Sequence, residues 1–161
     1  MTARLRGSPW QARGLSLALL AGALLLLAGT AQGQAIQITK LRDLDFGGCD
    51  NVGGATYTVA PAAAPGGGAC FGATSAQFTV TGTPSRRARL TLPNTVSVSN
   101  GTQSLSAAIT DSVGSNIACL GTGTITIYVG GSVTLPGGGL TSYGLFIAPT
   151  QIQLAYIGGS C

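Results

Sequence analysis

Apolar residues fall on every second position through the C-terminal third of the chain. Over residues 124–136 (TITIYVGGSVTLP) they stand at Ile125, Ile127, Val129, Val133 and Leu135, with Thr124, Thr126, Tyr128 and Thr134 between them. A period of two belongs to a half-buried strand and not to a helix. Gly130 and Gly131 interrupt the run without changing its parity. A three-residue loop over residues 130–132 would keep that parity, with Val129 opposite Val133 and Ile127 opposite Leu135. A two-residue loop would set Ile127 against Thr134, so the longer, bulged hairpin is expected. Residues 150–157 alternate again, with Ile152, Leu154 and Tyr156 on one face and Gln151, Gln153 and Ala155 on the other.

Similar patterns occupy the preceding stretch. Ile36 and Ile38 share one parity and Leu41, Leu44 and Phe46 follow a less regular one, which predicts a first strand with a bulge near Leu41, ending at Gly47 and Gly48. Residues 51–54 make a turn, and Tyr57 and Val59 mark a short strand. The run PAAAPGGG at residues 61–68 is a loop, because proline lacks the backbone donor of a central strand and three glycines disfavour order. Phe78 and Val80 define a strand over residues 77–81. After a turn at residues 83–85, Ala88, Leu90 and Leu92 alternate with Arg87, Arg89 and Thr91. Val96 and Val98 lead into Asn100-Gly101, a strong hairpin signal; a two-residue loop there sets Val96 opposite Leu105, and Leu105, Ala107 and Ile109 continue the face. Residues 111–119 read as a polar loop and residues 158–161 as a short tail. Short strands with a turn signal every 8 to 12 residues amount to about seven to nine, the pattern of an antiparallel β-sandwich.

Composition changes this picture mainly at the N-terminus. Arg4, Arg6 and Arg13 precede an apolar run from Leu15 to Ala28, and small residues follow at Ala28, Gly29, Thr30 and Ala31. This is the form of a cleavable export signal over residues 1–31, with cleavage sites up to residue 35. The run is shorter than the roughly 20 residues of a membrane-spanning helix, so the membrane is met only in export. Three of the eight basic residues leave with the signal, and the five that remain, against four aspartates, leave a net charge of +1. The sequence pI of about 9.2 is therefore no sign of a nucleic-acid partner. The rest forms a single domain over residues 36–157 with one core.

Cys49, Cys70, Cys119 and Cys161 form an even set in an exported chain, which predicts two disulfides. Four cysteines allow three pairings. Cys49 and Cys70 are closest and enclose the PAAAPGGG loop; their bridge is expected, at roughly 3 kcal/mol of stabilisation, leaving Cys119 with Cys161. Zinc would need Cys-x-x-Cys spacing or histidine, and the chain has neither. Without His there is no base for a Ser or Cys triad, and without Glu only four aspartates remain as carboxylates. Asp43, Asp45 and Asp50 cluster but lack the glycine and bidentate acid of a calcium loop. Neither a cofactor nor a catalytic or metal site is expected, and the chain is not read as an enzyme. Arg86, Arg87 and Arg89 read either as an anion or glycan patch or, more simply, as charges protecting an exposed strand.

Several fragments, in order, resemble an exported bacterial family, the domain of unknown function 4402: LDFGG (residues 44–48), AQFTVTG (76–82), LTLP (90–93), LGTGTITIYVGGSVTLP (120–136) and the closing strand ending at Tyr156. The resemblance implies an immunoglobulin-like, Greek-key sandwich and a pilin-like or surface-fibre subunit. It also implies assembly into homo- or hetero-polymers, with a periplasmic chaperone and usher as partners. The four cysteines and Pro149, which interrupts the terminal strand, depart from the family's usual pattern. On this reading the protein is a structural subunit in adhesion or biofilm formation at the cell surface, in the periplasm or secreted. Ile36 and Ile38 would be a strand donor to a neighbouring subunit, or else the first strand of their own domain. The rival reading is a secreted binding module for glycan or protein ligands, with its site on the loops of residues 61–68 or 111–116.

Overall fold

The computed structural model describes residues 33–63, 70–142 and 144–161; the export signal expected over residues 1–31 and most of the 61–68 loop lie outside the described residues. Two units divide the chain, Met1–Gly33 and Gln34–Cys161, and every described strand belongs to the second. Among the described residues eleven strands occur in chain order: β1 Gln37–Arg42, β2 Leu44–Asp45, β3 Thr56–Val59, β4 Ala76–Thr81, β5 Arg86–Thr91, β6 Thr95–Ser99, β7 Ser104–Asp111, β8 Ile117–Cys119, β9 Thr124–Thr134, β10 Ile147–Ala148 and β11 Gln153–Ser160. The pairings are antiparallel, in a sheet ordered β1-β4-β9-β7-β6-β10-β2, with β3 also on β9, and a second sheet ordered β11-β5-β8. This is the expected all-β sandwich, with more strands than seven to nine. The surplus comes from β2, β8 and β10, which are only two or three residues long and too short to show a period.

The inner faces of the two sheets share one core, with Phe78, Val80, Val98, Ala107, Ile127, Val129 and Val133 from the larger and Leu90 from the smaller, joined by Phe46, Leu120 and Ile152. Only Asp43 separates β1, on the β4 edge, from β2, on the β10 edge. Asp45 of β2 also bridges to Thr74, just before β4. The larger sheet therefore curls until β2 touches both the β4 side and β10, while β1 keeps one side unpaired among the described strands.

The hairpin expected at residues 130–132 does not form. β9 runs straight through Gly130 and Gly131 as an eleven-residue strand. Along one side it pairs with β4 as far as Val129 and then with β3 from Gly131 onward, and along the other side β7 pairs with Val129–Val133. The glycines serve close approach and not a turn. A Cβ on Gly130 would collide with Val59 O, Pro61 N and Ala60 C, and one on Gly131 with Ala108 O. The expected parity survives, since Ile127, Val129, Val133 and Leu135 are buried and Ile125 half-buried.

Three other expectations need correction. The Asn100-Gly101 hairpin exists, but its loop spans residues 100–103, so that Val98 faces Leu105 and Val96 faces Ala107. Asn100 Oδ1 accepts the N–H groups of Thr102 (3.0 Å) and Gln103 (2.8 Å), and this side-chain capping stabilises the longer loop. The polar stretch of residues 111–119 contains β8. The tail from residue 158 is strand as far as Ser160, which lies opposite Arg86, and Cys161 N donates to Ser85 O at 2.9 Å. Other expectations agree with the fold. The register slips between Lys40 and Arg42, as a bulge at Leu41 requires, and Pro149 falls where the chain leaves β10 in one sheet for β11 in the other.

Candidate functional site

The four cysteines pair as expected. Cys49 joins Cys70 across 21 residues (Cα–Cα 4.5 Å) and Cys119 joins Cys161 across 42 (5.8 Å). The first bridge closes a ring that contains β3, and beside it Gly48 and Phe71 exchange backbone hydrogen bonds. The second fastens the end of β11 to β8 across β5.

β1 is the first candidate surface. It pairs with β4 through five residue pairs and with no other described strand, and it contributes little to the core: five of its six side chains are exposed, with Ile38 at 38% and Leu41 at 56%. Ile36, just before it, is half-buried against the core. Ile36 and Ile38 thus lie in or beside a strand of their own sheet. Polar clamps hold both ends. Tyr156 Oη accepts from Thr83 N (2.6 Å) and donates to Gln34 O (2.7 Å). Gly82 leaves room for that ring, because a Cβ there would lie 2.5 Å from the phenol oxygen. At the other end Arg42 Nε donates to Ser75 O at 2.7 Å. Lys40 pairs with Asp43 at 2.7 Å, an exposed ion pair of small energetic weight.

The second surface is a groove of about 520 Å³ beside the end of β5. Arg89, Leu90 and Thr91 come from β5, Leu92, Pro93 and Asn94 from the link to β6, Ile109 and Asp111 from β7, and Ser115, Asn116 and Ile117 from the β7–β8 loop and the start of β8. It exists because β8 is short and covers β5 only at Arg87–Arg89. Thr91, Leu92 and Pro93 also border a neighbouring hollow of about 300 Å³ with Gln151 and Gln153. The structure thus brings Arg89 and the 111–116 loop, two separate expectations, to one place. Arg86 and Arg87 do not line it. Asn94, Thr91 and Gln153 carry no motif that could have pointed to the groove, since pairing across the fold assembles it.

The three clustered aspartates have other duties or stand apart. Asp43 holds Lys40, and Asp45 Oδ1 accepts Gly47 N at 2.7 Å. Among the described residues no three His, Cys, Asp or Glu side chains come together, and no described helix is long and apolar enough to cross a membrane. Phe71, beside Cys70, is 93% exposed.

An antiparallel sandwich of two sheets, stapled by two disulfides and curled so that its larger sheet nearly closes, defines the class. The chain belongs to the family described as Domain of unknown function (DUF4402), whose model matches residues 36–156. No curated protein and no solved structure matches it.

Proposed function

We propose that the chain is an exported structural subunit of a pilin-like or surface-fibre assembly, acting in adhesion or biofilm formation, and that it is not an enzyme. The observation that carries this reading is β1. It is the first strand after the export signal expected from the sequence, it is paired on one side only among the described strands, and it shows Ile38 and Leu41 to solvent. An edge strand with apolar side chains is a template for another chain, through main-chain hydrogen bonds along the edge and side-chain contacts above and below it. Lending residues 36–41 outright to a neighbour would break four β4 pairs, while the bonds at Gln34 and Arg42 tie the segment down on either side, so these contacts favour addition of a second subunit to the free edge. The disulfides fit an oxidising compartment, periplasm or cell exterior. A periplasmic chaperone that covers β1 until assembly, and an usher, are the partners this reading calls for.

The test is made on cells of the natural host. Material sheared from the surface and probed with antibody should run as a ladder of multimers after mild SDS treatment and collapse to one band on boiling. A single monomeric band, or protein confined to the cytoplasm, contradicts the proposal.

A further inference from the structure

The groove beside β5 has properties that assembly through β1 does not use. Its walls are set by main-chain bonds: Leu90 N donates to Asn116 O (2.9 Å), Ile109 N to Asn94 O (2.9 Å) and Ser112 N to Tyr128 O (2.9 Å). Asp111 Oδ1 accepts from Val113 N (2.7 Å) and Gly114 N (3.0 Å), which fixes the loop. Asn116 holds a left-handed backbone, φ 55°, a conformation that asparagine tolerates better than other residues with a Cβ.

On this fixed frame stand solvent-exposed polar groups: the Arg89 guanidinium, the Thr91 hydroxyl and the side-chain amides of Asn94 and Asn116, with Gln151 and Gln153 in the adjoining hollow. Amides and hydroxyls both donate and accept, which is what a vicinal diol requires of its partner. Leu92, Ile109, Ile117 and Pro93 supply the aliphatic part of its lining. The charges lining the groove, Arg89 and Asp111, cancel, so nothing in it selects a polyanion. The volume lies in the range of small-ligand sites, roughly 300 to 1,000 Å³, and the two hollows share Thr91, Leu92 and Pro93.

We infer that this groove binds a linear, neutral saccharide, with Arg89, Asn94, Asp111 and Asn116 holding the hydroxyls of one sugar unit and Gln151 and Gln153 those of the next. A preformed wall lowers the ordering cost that weakens binding by flexible loops. A surface subunit so equipped would bind a glycan as well as assemble.

The test is amide chemical-shift mapping of the mature, oxidised protein with neutral hexasaccharides of glucose, mannose, galactose and N-acetylglucosamine. An oligogalacturonate and a peptide of residues 34–42 of this chain form comparison arms. The expected result is saturable shifts with at least one neutral sugar, confined to residues 89–94, 109–117 and 151–153. Arg89→Ala and Asn116→Gly, the latter compatible with the left-handed backbone, should each weaken binding about tenfold or more, with the remaining spectrum unchanged; Thr126→Ala on the larger sheet should have no effect. Four outcomes overturn the inference: no shift with any neutral sugar, shifts centred elsewhere, tighter binding of the acidic oligomer, or binding of the peptide in place of sugar, which would make the groove a peptide site.

Discussion

Gly130→Ala separates a strand that runs through its glycines from one that turns at them. If residues 130–132 were a solvent-exposed loop, one methyl group would be harmless. In the continuous β9, the new Cβ meets Val59 O, Pro61 N at 2.7 Å and Ala60 C at 2.8 Å, all main-chain atoms that cannot rotate away. β9 would have to shift away from β3 at the point where it changes partner from β4. Overpacking of this kind costs typically 1 to 3 kcal/mol, and frayed β3 pairing adds to it, so a loss of about 3 kcal/mol is expected. Gly138→Ala is the control, because a methyl group there would have nothing within 4 Å and the residue's φ is not positive; it should be neutral or slightly stabilising through the unfolded chain. With an m-value of about 1.5 kcal/mol/M, urea unfolding of the oxidised protein should show the Gly130→Ala midpoint lower by about 2 M. Equal midpoints for the two variants would refute the through-strand account.

Other outcomes follow from the same contacts. Ile127→Asp, fully buried opposite Phe78, should abolish soluble accumulation, whereas Thr126→Asp, exposed opposite Thr79, should be tolerated; equal expression would contradict the alternation. Tyr156→Phe removes the bonds to Gln34 and Thr83, should cost about 1 to 2 kcal/mol, and should expose residues 33–36 to proteolysis in the folded protein. Loss of the Cys119–Cys161 bridge should destabilise by about 4 kcal/mol in the chain-entropy model and raise amide exchange selectively at residues 158–160; unchanged exchange there would mean that the β5 pairing alone holds the strand end. Intact-mass measurement of exported protein should give a start between Gln32 and Ile36, and a mass retaining residues 4–28 would contradict export with cleavage.

The faces of β4, β5, β7 and β9 were legible because side-chain period survives whatever the chain does between strands, whereas β1 turns almost all its side chains to solvent. The connections were not. Gly130-Gly131 satisfies the chemistry of a tight turn and of close backbone approach equally well, and only the crowding of β3 and β7 against β9 decides between them. Asn100-Gly101 specified a hairpin, but the capping bonds from Asn100 Oδ1 and Ser99 Oγ, which lengthen its loop, depend on local geometry. β2, β8 and β10 pair because neighbouring strands offer them an edge. The groove was legible only in pieces: Arg89 and residues 111–116 each drew notice, and nothing in their separation of more than twenty positions indicates that β8 ends early enough to leave them facing one hollow.

The most direct test of the account is sedimentation velocity of the mature protein over a wide concentration range, for wild type and for Ile38→Glu and Leu41→Glu, both exposed on β1. Wild type should form concentration-dependent multimers and the two variants folded monomers, since a charge set into a strand-to-strand contact is costly to desolvate. Multimers unaffected by either substitution would contradict assembly through β1, as would a wild type that stays monomeric at every concentration.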